Sequence, residues 1–142
     1  MDITAITGNC NNINHAKHNE QVCNYLNKKP EFSDWIITTA FYAALHYVRH
    51  KVIPYVHTDL SGNQKKYDDF ETLFDNFKKE QEGRHGFQKR FVEEHLPKIR
   101  YQYQRLHELC QNARYYNYQY TRNDSEKARE YLKIIKDFCL SE

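Results

Sequence analysis

The sequence predicts an all-α protein, an antiparallel bundle of four to five helices, and three observations carry that prediction. The run from Ser33 to Arg49 is more apolar than anything around it, and its apolar residues spread over most of a helical circumference. Elsewhere the apolar residues recur at intervals of three and four instead of alternating, which leaves little for a sheet to build on. Only four glycines and three prolines interrupt the 142 residues, too few for the turns of an all-β domain. A chain of this length removes about 68–70% of its unfolded surface from water as one domain, without disulfides or a structural metal.

Residues 1–14 mix Thr, Gly and Asn with isolated Ile and keep no period, so they read as a loosely held arm ahead of a single domain spanning 15–142. His15 to Lys28 reads as a first helix that buries Ala16, Val22, Cys23, Tyr25 and Leu26 and stops before Lys29-Pro30. A tight connection over Pro30 to Ser33 suits an antiparallel pair. In the central helix Ser33 is the expected N-cap, and Asp34 complements the positive helix end. Ala40, Ala43 and Ala44 let a neighbour approach closely. This helix also holds Trp35, the only tryptophan, and is expected to be the one the others bury.

Beyond Arg49 the pattern decays through Val52-Ile53-Pro54-Tyr55 into a loop of turn formers, Thr58 to Gln64. Tyr67 to Glu80 recovers a helical period through Phe70, Leu73, Phe74 and Phe77, after which Gly83 and Gly86 bracket Arg84-His85. Phe87 to Asn112 is helical again, with Phe91, Leu96, Ile99, Tyr103, Leu106 and Leu109 on one stripe and Pro97 set to kink or divide it. A last helix opens at Asn123-Asp124-Ser125-Glu126, which resembles a capping box, with Ala128, Tyr131, Leu132, Ile134, Ile135, Phe138 and Cys139 as its apolar face.

Composition narrows the chemistry. A net charge of +2 gives no strong electrostatic pull on nucleic acid, and Lys28-Lys29, Lys65-Lys66 and Lys78-Lys79 read as solvated faces. Cys10, Cys23, Cys110 and Cys139 are scattered, with no Cys-x-x-Cys and no signal-like N-terminus, as expected of reduced thiols in a cytoplasmic protein. No apolar run reaches membrane-spanning length, so no membrane partner is expected. Glycine-rich phosphate loops and Gly-x-Ser-x-Gly elbows are missing from the sequence.

The central helix keeps one polar stripe. Thr38, Tyr42, His46 and Arg49 fall on one face, and polar groups on a buried helix need partners. Either they close hydrogen bonds within the core, with Tyr103 or Arg114 as facing partners of His46, or they line a site. His46 and His50, spaced one turn apart, could also share a metal with His57 or His85, the basis of a hydrolase alternative. Tyr115, Tyr116, Tyr118 and Tyr120 beside Arg114 and Arg122 either pack flat on the bundle or stack bases.

The ordered series Ser33-Asp34-Trp35, Thr39-Ala40-Phe41-Tyr42-Ala43-Ala44-Leu45-His46-Tyr47, His85, Arg90-Phe91-Val92, His95-Leu96-Pro97-Lys98-Ile99, Tyr103, Leu106 and Ala113-Arg114-Tyr115 resembles small prokaryotic HEPN-like proteins. The resemblance covers roughly Phe32 to Tyr120. It implies a helical bundle, often homodimeric, and in many members a metal-independent ribonuclease of a toxin–antitoxin or phage-defence system, with RNA as substrate, a cognate antitoxin as partner and no cofactor. It also implies a catalytic Arg followed four to six residues later by His, which Arg90 and His95 fit, with His46, His85 and Arg114 lining or orienting the site. Imidazole moves the proton of a ribose hydroxyl, and guanidinium forks onto phosphate oxygens. Phe91 follows Arg90 where active members carry a polar residue, and Glu93 and Glu94 add negative charge. Members of the group without nuclease activity imply the alternative, a nucleotide-binding, RNA-binding or protein-interaction module.

Overall fold

The computed structural model describes residues 11–115 and 122–141. Among them are six α-helices and one two-stranded hairpin: α1 (Asn12–Leu26), α2 (Ser33–Val52), β1 (Tyr55–Thr58), β2 (Gln64–Tyr67), α3 (Phe70–Phe77), α4 (Arg84–His95), α5 (Arg100–Tyr115) and α6 (Arg122–Leu140). Helix α1 starts at Asn12, three residues before the expected His15, because the Asn11 side chain accepts from the Asn14 amide at 3.0 Å and caps it. The remainder of the expected N-terminal arm, and Tyr116, Tyr118 and Tyr120, lie outside the described residues.

Helix α2 is the centre of the bundle and packs against α1, α5 and α6. Ile36, Ile37, Ala40, Ala43, Ala44 and Tyr47 are fully buried along it. The three alanines remove side-chain bulk where helix axes must come close. Tyr47 reaches out of this core through its hydroxyl, which donates to Glu20 at 2.7 Å, and Lys136 of α6 pairs with the same carboxylate at 3.0 Å. One polar knot thus ties α1, α2 and α6.

One expectation for this helix is corrected. Ser33 is its first helical residue, not its cap. The cap position is Phe32, which makes no side-chain capping bond, because the 3-10 turn Pro30–Phe32 runs directly into the helix. Trp35 is 56% exposed, since the buried arc of α2 is filled by Ile36, Ile37 and the alanines and leaves the indole outside.

The expected loop of turn formers, Thr58 to Gln64, is the turn of a β-hairpin, and the strands on either side of it are what the sequence did not signal. Its strands pair antiparallel from Tyr55↔Tyr67 to Thr58↔Gln64, and Asp59 Oδ1 closes the turn by accepting from the amides of Ser61 and Asn63, each at 2.9 Å. Gly62 supplies the positive φ of 84° that the turn needs. Four-residue strands are too short to show a period-2 pattern against this background. The hairpin covers a second aromatic core of Tyr67, Phe70, Leu73, Phe74, Phe87 and Phe91, apart from the main one. Asp69 caps α3 by accepting from Thr72 N at 2.8 Å.

Pro97 divides the long helical stretch: α4 ends at His95 and α5 begins at Arg100. Helix α6 begins at Arg122, so Ser125 sits inside its first turn, buried, with Oγ donating back to the Arg122 carbonyl at 2.9 Å. Among the described residues no helix is long and apolar enough to cross a membrane.

Candidate functional site

The polar stripe of α2 divides between two neighbours. Thr38 spends its hydroxyl on its own helix, donating to the Asp34 carbonyl at 2.8 Å. His46 turns towards α1, where its Nδ1 lies 3.0 Å from Asn12 Oδ1 and its ring stacks on His15 at 4.8 Å. Burial holds its pKa down to about 4, with Arg49 and His15 adding repulsion, so it is a neutral structural imidazole at pH 7. Tyr42 and Arg49 face the other way, towards α4.

There, Gly83 starts α4 one residue before Arg84, which puts His85 in the first turn and brings its Nε2 to 3.4 Å from the Tyr42 hydroxyl. Arg114, in the last turn of α5, donates from Nη1 to the same hydroxyl, and its guanidinium lies over the rings of Tyr42 and Tyr115 at 5.7 and 5.1 Å. The hydroxyl accepts from Arg114, so its own proton goes to His85 Nε2. His85 then carries its hydrogen on Nδ1, a buried atom with no hydrogen-bond partner. Burial, reinforced by Arg49 and Arg114, lowers the His85 pKa. Burial likewise raises that of Tyr42, against the opposing pull of Arg114.

Phe41 makes edge contacts with His85 and His107 at 5.7 and 5.3 Å and fixes both rings. His107, on α5, is 7% exposed and held down to about 4 by burial, with Lys89 and His85 contributing. Together with Cys110 and Gln111 these groups border a cleft of about 50 Å³, room for a phosphate-sized group but not for a base. Tyr115 stands at its mouth, 66% exposed. Sequence reasoning passed over His107, although it lies four residues after Tyr103 and seven before Arg114 and so shares their helical face.

Arg49 is anchored between these groups and the second core. Its Nε donates to Gln88 Oε1 at 2.8 Å, its guanidinium lies 3.8 Å from the Phe70 ring centre, and Gln88 is fixed in turn on the Leu45 carbonyl at 2.9 Å. Gln88, 1% exposed, is another participant the sequence did not signal. Neither Arg49 nor Arg114 has a carboxylate of the described residues within ion-pair distance, whereas Arg84, Arg90, Arg105 and Arg122 each have one.

Arg90 and His95 border a different cavity, at the other end of α4. The Arg90 guanidinium forks onto Glu82 at 2.9 and 3.0 Å, donates to the Phe77 carbonyl at 3.0 Å and reaches Glu94 at 3.4 Å, so few of its donors remain for a ligand. His95 is partly exposed and packs against Phe91 at 4.3 Å. His46, His57 and His85 are on separate contacts, and among the described residues no group of three or more His, Cys, Asp or Glu could hold a metal ion. The described cysteines, Cys23, Cys110 and Cys139, are free and buried, and burial pushes the thiols of Cys110 and Cys139 up to about 11 and 12.

No family model, curated protein or solved structure matches the chain.

Proposed function

We propose that the chain is an HEPN-like module that binds a phosphate of RNA in the cleft of Tyr42, His85 and Arg114. The observation that carries this reading is that Arg114, at the mouth of the cleft, is free of any described carboxylate while its one described hydrogen bond runs through Tyr42 to a neutral imidazole. A guanidinium so placed keeps donors for phosphate oxygens, and Arg49 adds a second positive field at His85. The exposed ring of Tyr115 offers a face on which a base stacks. A homodimer and an antitoxin-like protein partner belong to this reading through the resemblance.

One observation favours a second reading, metal-independent cleavage. His85 Nε2 is the acceptor nitrogen of a neutral imidazole and meets the Tyr42 hydroxyl only at 3.4 Å, so a ribose hydroxyl that takes the place of Tyr42 at this long contact would find a base for its proton. The test is binding and cleavage of a single-stranded RNA in EDTA, with oligomeric state measured by sedimentation. Arg114→Ala is expected to weaken binding, and His85→Ala to abolish any cleavage. Equal RNA affinity in wild type and Arg114→Ala would sink the proposal.

A further inference from the structure

The cavity at the far end of α4 has walls and charges that define a ligand of their own. It measures about 250 Å³ and lies between the hairpin and α4. Its walls are aromatic: His57 meets Phe77 edge-on at 4.9 Å, Tyr55 meets Phe91 at 5.4 Å, and His95 lies at 4.3 Å from Phe91. Such walls favour a planar ring that stacks.

The charges then select among planar ligands. Arg90 forked onto Glu82 is a neutralised pair, so that wall adds little net charge. Glu94 at the rim, only loosely engaged with Arg90, disfavours an anion and calls for N–H donors. A neutral aromatic ring that carries such donors meets both demands. Glu94 also has unused acceptor capacity. Its Oε1 is 3.4 Å from Arg90, its Oε2 is 3.9 Å from His95, both contacts are long, and its side chain is 51% exposed. A carboxylate in that state takes two parallel N–H bonds from adjacent donors on one ring edge.

We infer that this cavity binds a guanine-type base, stacked among His57, Phe77, Phe91 and His95, with its adjacent ring and exocyclic N–H groups donated to Glu94. The volume holds the bicyclic base and leaves a ribose at the open side. Guanine, unlike adenine, carries the two neighbouring donors on one edge. The site is separate from the phosphate cleft: His85 and His95 stand about 15 Å apart along α4 at 1.5 Å per residue. It does not depend on the reading of that cleft, because a nucleoside has no phosphate.

The test is a titration of the isotopically labelled protein with guanosine, inosine and adenosine, followed by the imidazole resonances of His57 and His95. The lone indole, Trp35, is no part of this cavity and serves as the internal control. Saturable shifts with guanosine are expected at both imidazoles, with inosine several-fold weaker for want of the exocyclic amine. Glu94→Gln, a same-shaped change at a half-exposed position, is expected to weaken guanosine about tenfold or more, the scale of a hydrogen bond to a charged group. No shift at millimolar guanosine, adenosine binding as tightly as guanosine, or unchanged affinity in Glu94→Gln would each overturn the inference. The comparison among nucleosides needs no substitution, so it stands even where a variant folds poorly.

Discussion

Arg90 and Arg114 are the same side chain in two electrostatic settings. Arg90 lies midway along α4 with its guanidinium held by Glu82, a backbone carbonyl and Glu94. Arg114 lies at the end of α5 with a phenol for its partner. Each has a histidine in its neighbourhood, His95 for one and His85 for the other, so a nearby imidazole does not separate them. The carboxylates do. A guanidinium already forked onto Glu82 must break a charge-assisted pair to meet phosphate, whereas Arg114 gives up only a bond to a neutral hydroxyl. The first arginine is therefore suited to holding the fold, the second to meeting a ligand.

The largest effect is expected at the caged member. Arg90→Ala leaves Glu82 part-buried without its partner and should cost about 2–3 kcal/mol, read from the urea midpoint. The Arg90 hydrogen bonds hold the Glu82 carboxyl below its usual range. That stabilisation is present above the unfolded carboxyl pKa, about 4.3, and is lost as pH falls through the depressed folded value. The difference between wild type and Arg90→Ala should therefore shrink in acid. An Arg90→Ala protein of unchanged stability would remove the distinction drawn here.

His107 gives the next largest effect. Its pKa is held down to about 4 in the folded protein against about 6.5 unfolded, so between those values the unfolded chain binds the proton first. Wild type should lose about 2 kcal/mol as pH falls from 6.5 towards 4, with His46 acting in the same direction. In His107→Gln the decline should be shallower in a pH series of denaturant melts. An equally steep decline would mean that His107 is solvated.

Arg114→Ala should weaken RNA binding about tenfold, or about 1.4 kcal/mol, while changing stability by no more than about 0.5 kcal/mol, because the side chain is exposed. A large loss of stability would make Arg114 a second structural arginine. The smallest effect belongs to His95→Ala, with an exposed ring that packs on Phe91 and only a long polar contact to Glu94. Stability should stay within about 0.5 kcal/mol. Loss of RNA cleavage in that variant would return catalysis to the Arg90 end of the helix.

Much of the fold was legible in the residues. The apolar run of α2, the Phe70–Phe77 period, the break at Pro97 and the apolar face of α6 are local patterns, and a helix needs only local spacing to declare its buried side. The hairpin was not legible, because four-residue strands show too little alternation and their pairing spans a turn. Trp35 marks the central helix yet stands exposed, because smaller neighbours fill the inner arc of that helix. Within the candidate site, Tyr42, His85, Arg49 and Arg114 were singled out by type and position. His107 and Gln88 were not, since a polar residue inside an apolar stripe gives no sign of what it will meet.

By itself the sequence determined the helices, their buried faces and the stock of imidazoles and guanidiniums available. Which guanidinium is left free was decided only by the tertiary structure. Tyr42 and Arg114 are 72 residues apart, Arg49 and Gln88 are 39, and Arg90 meets Glu82 only because the chain turns back before α4. The physical reason is range. Helix formation follows from neighbours within a turn or two, while the fate of a charge is set by whichever opposite charge the fold brings within a few ångströms.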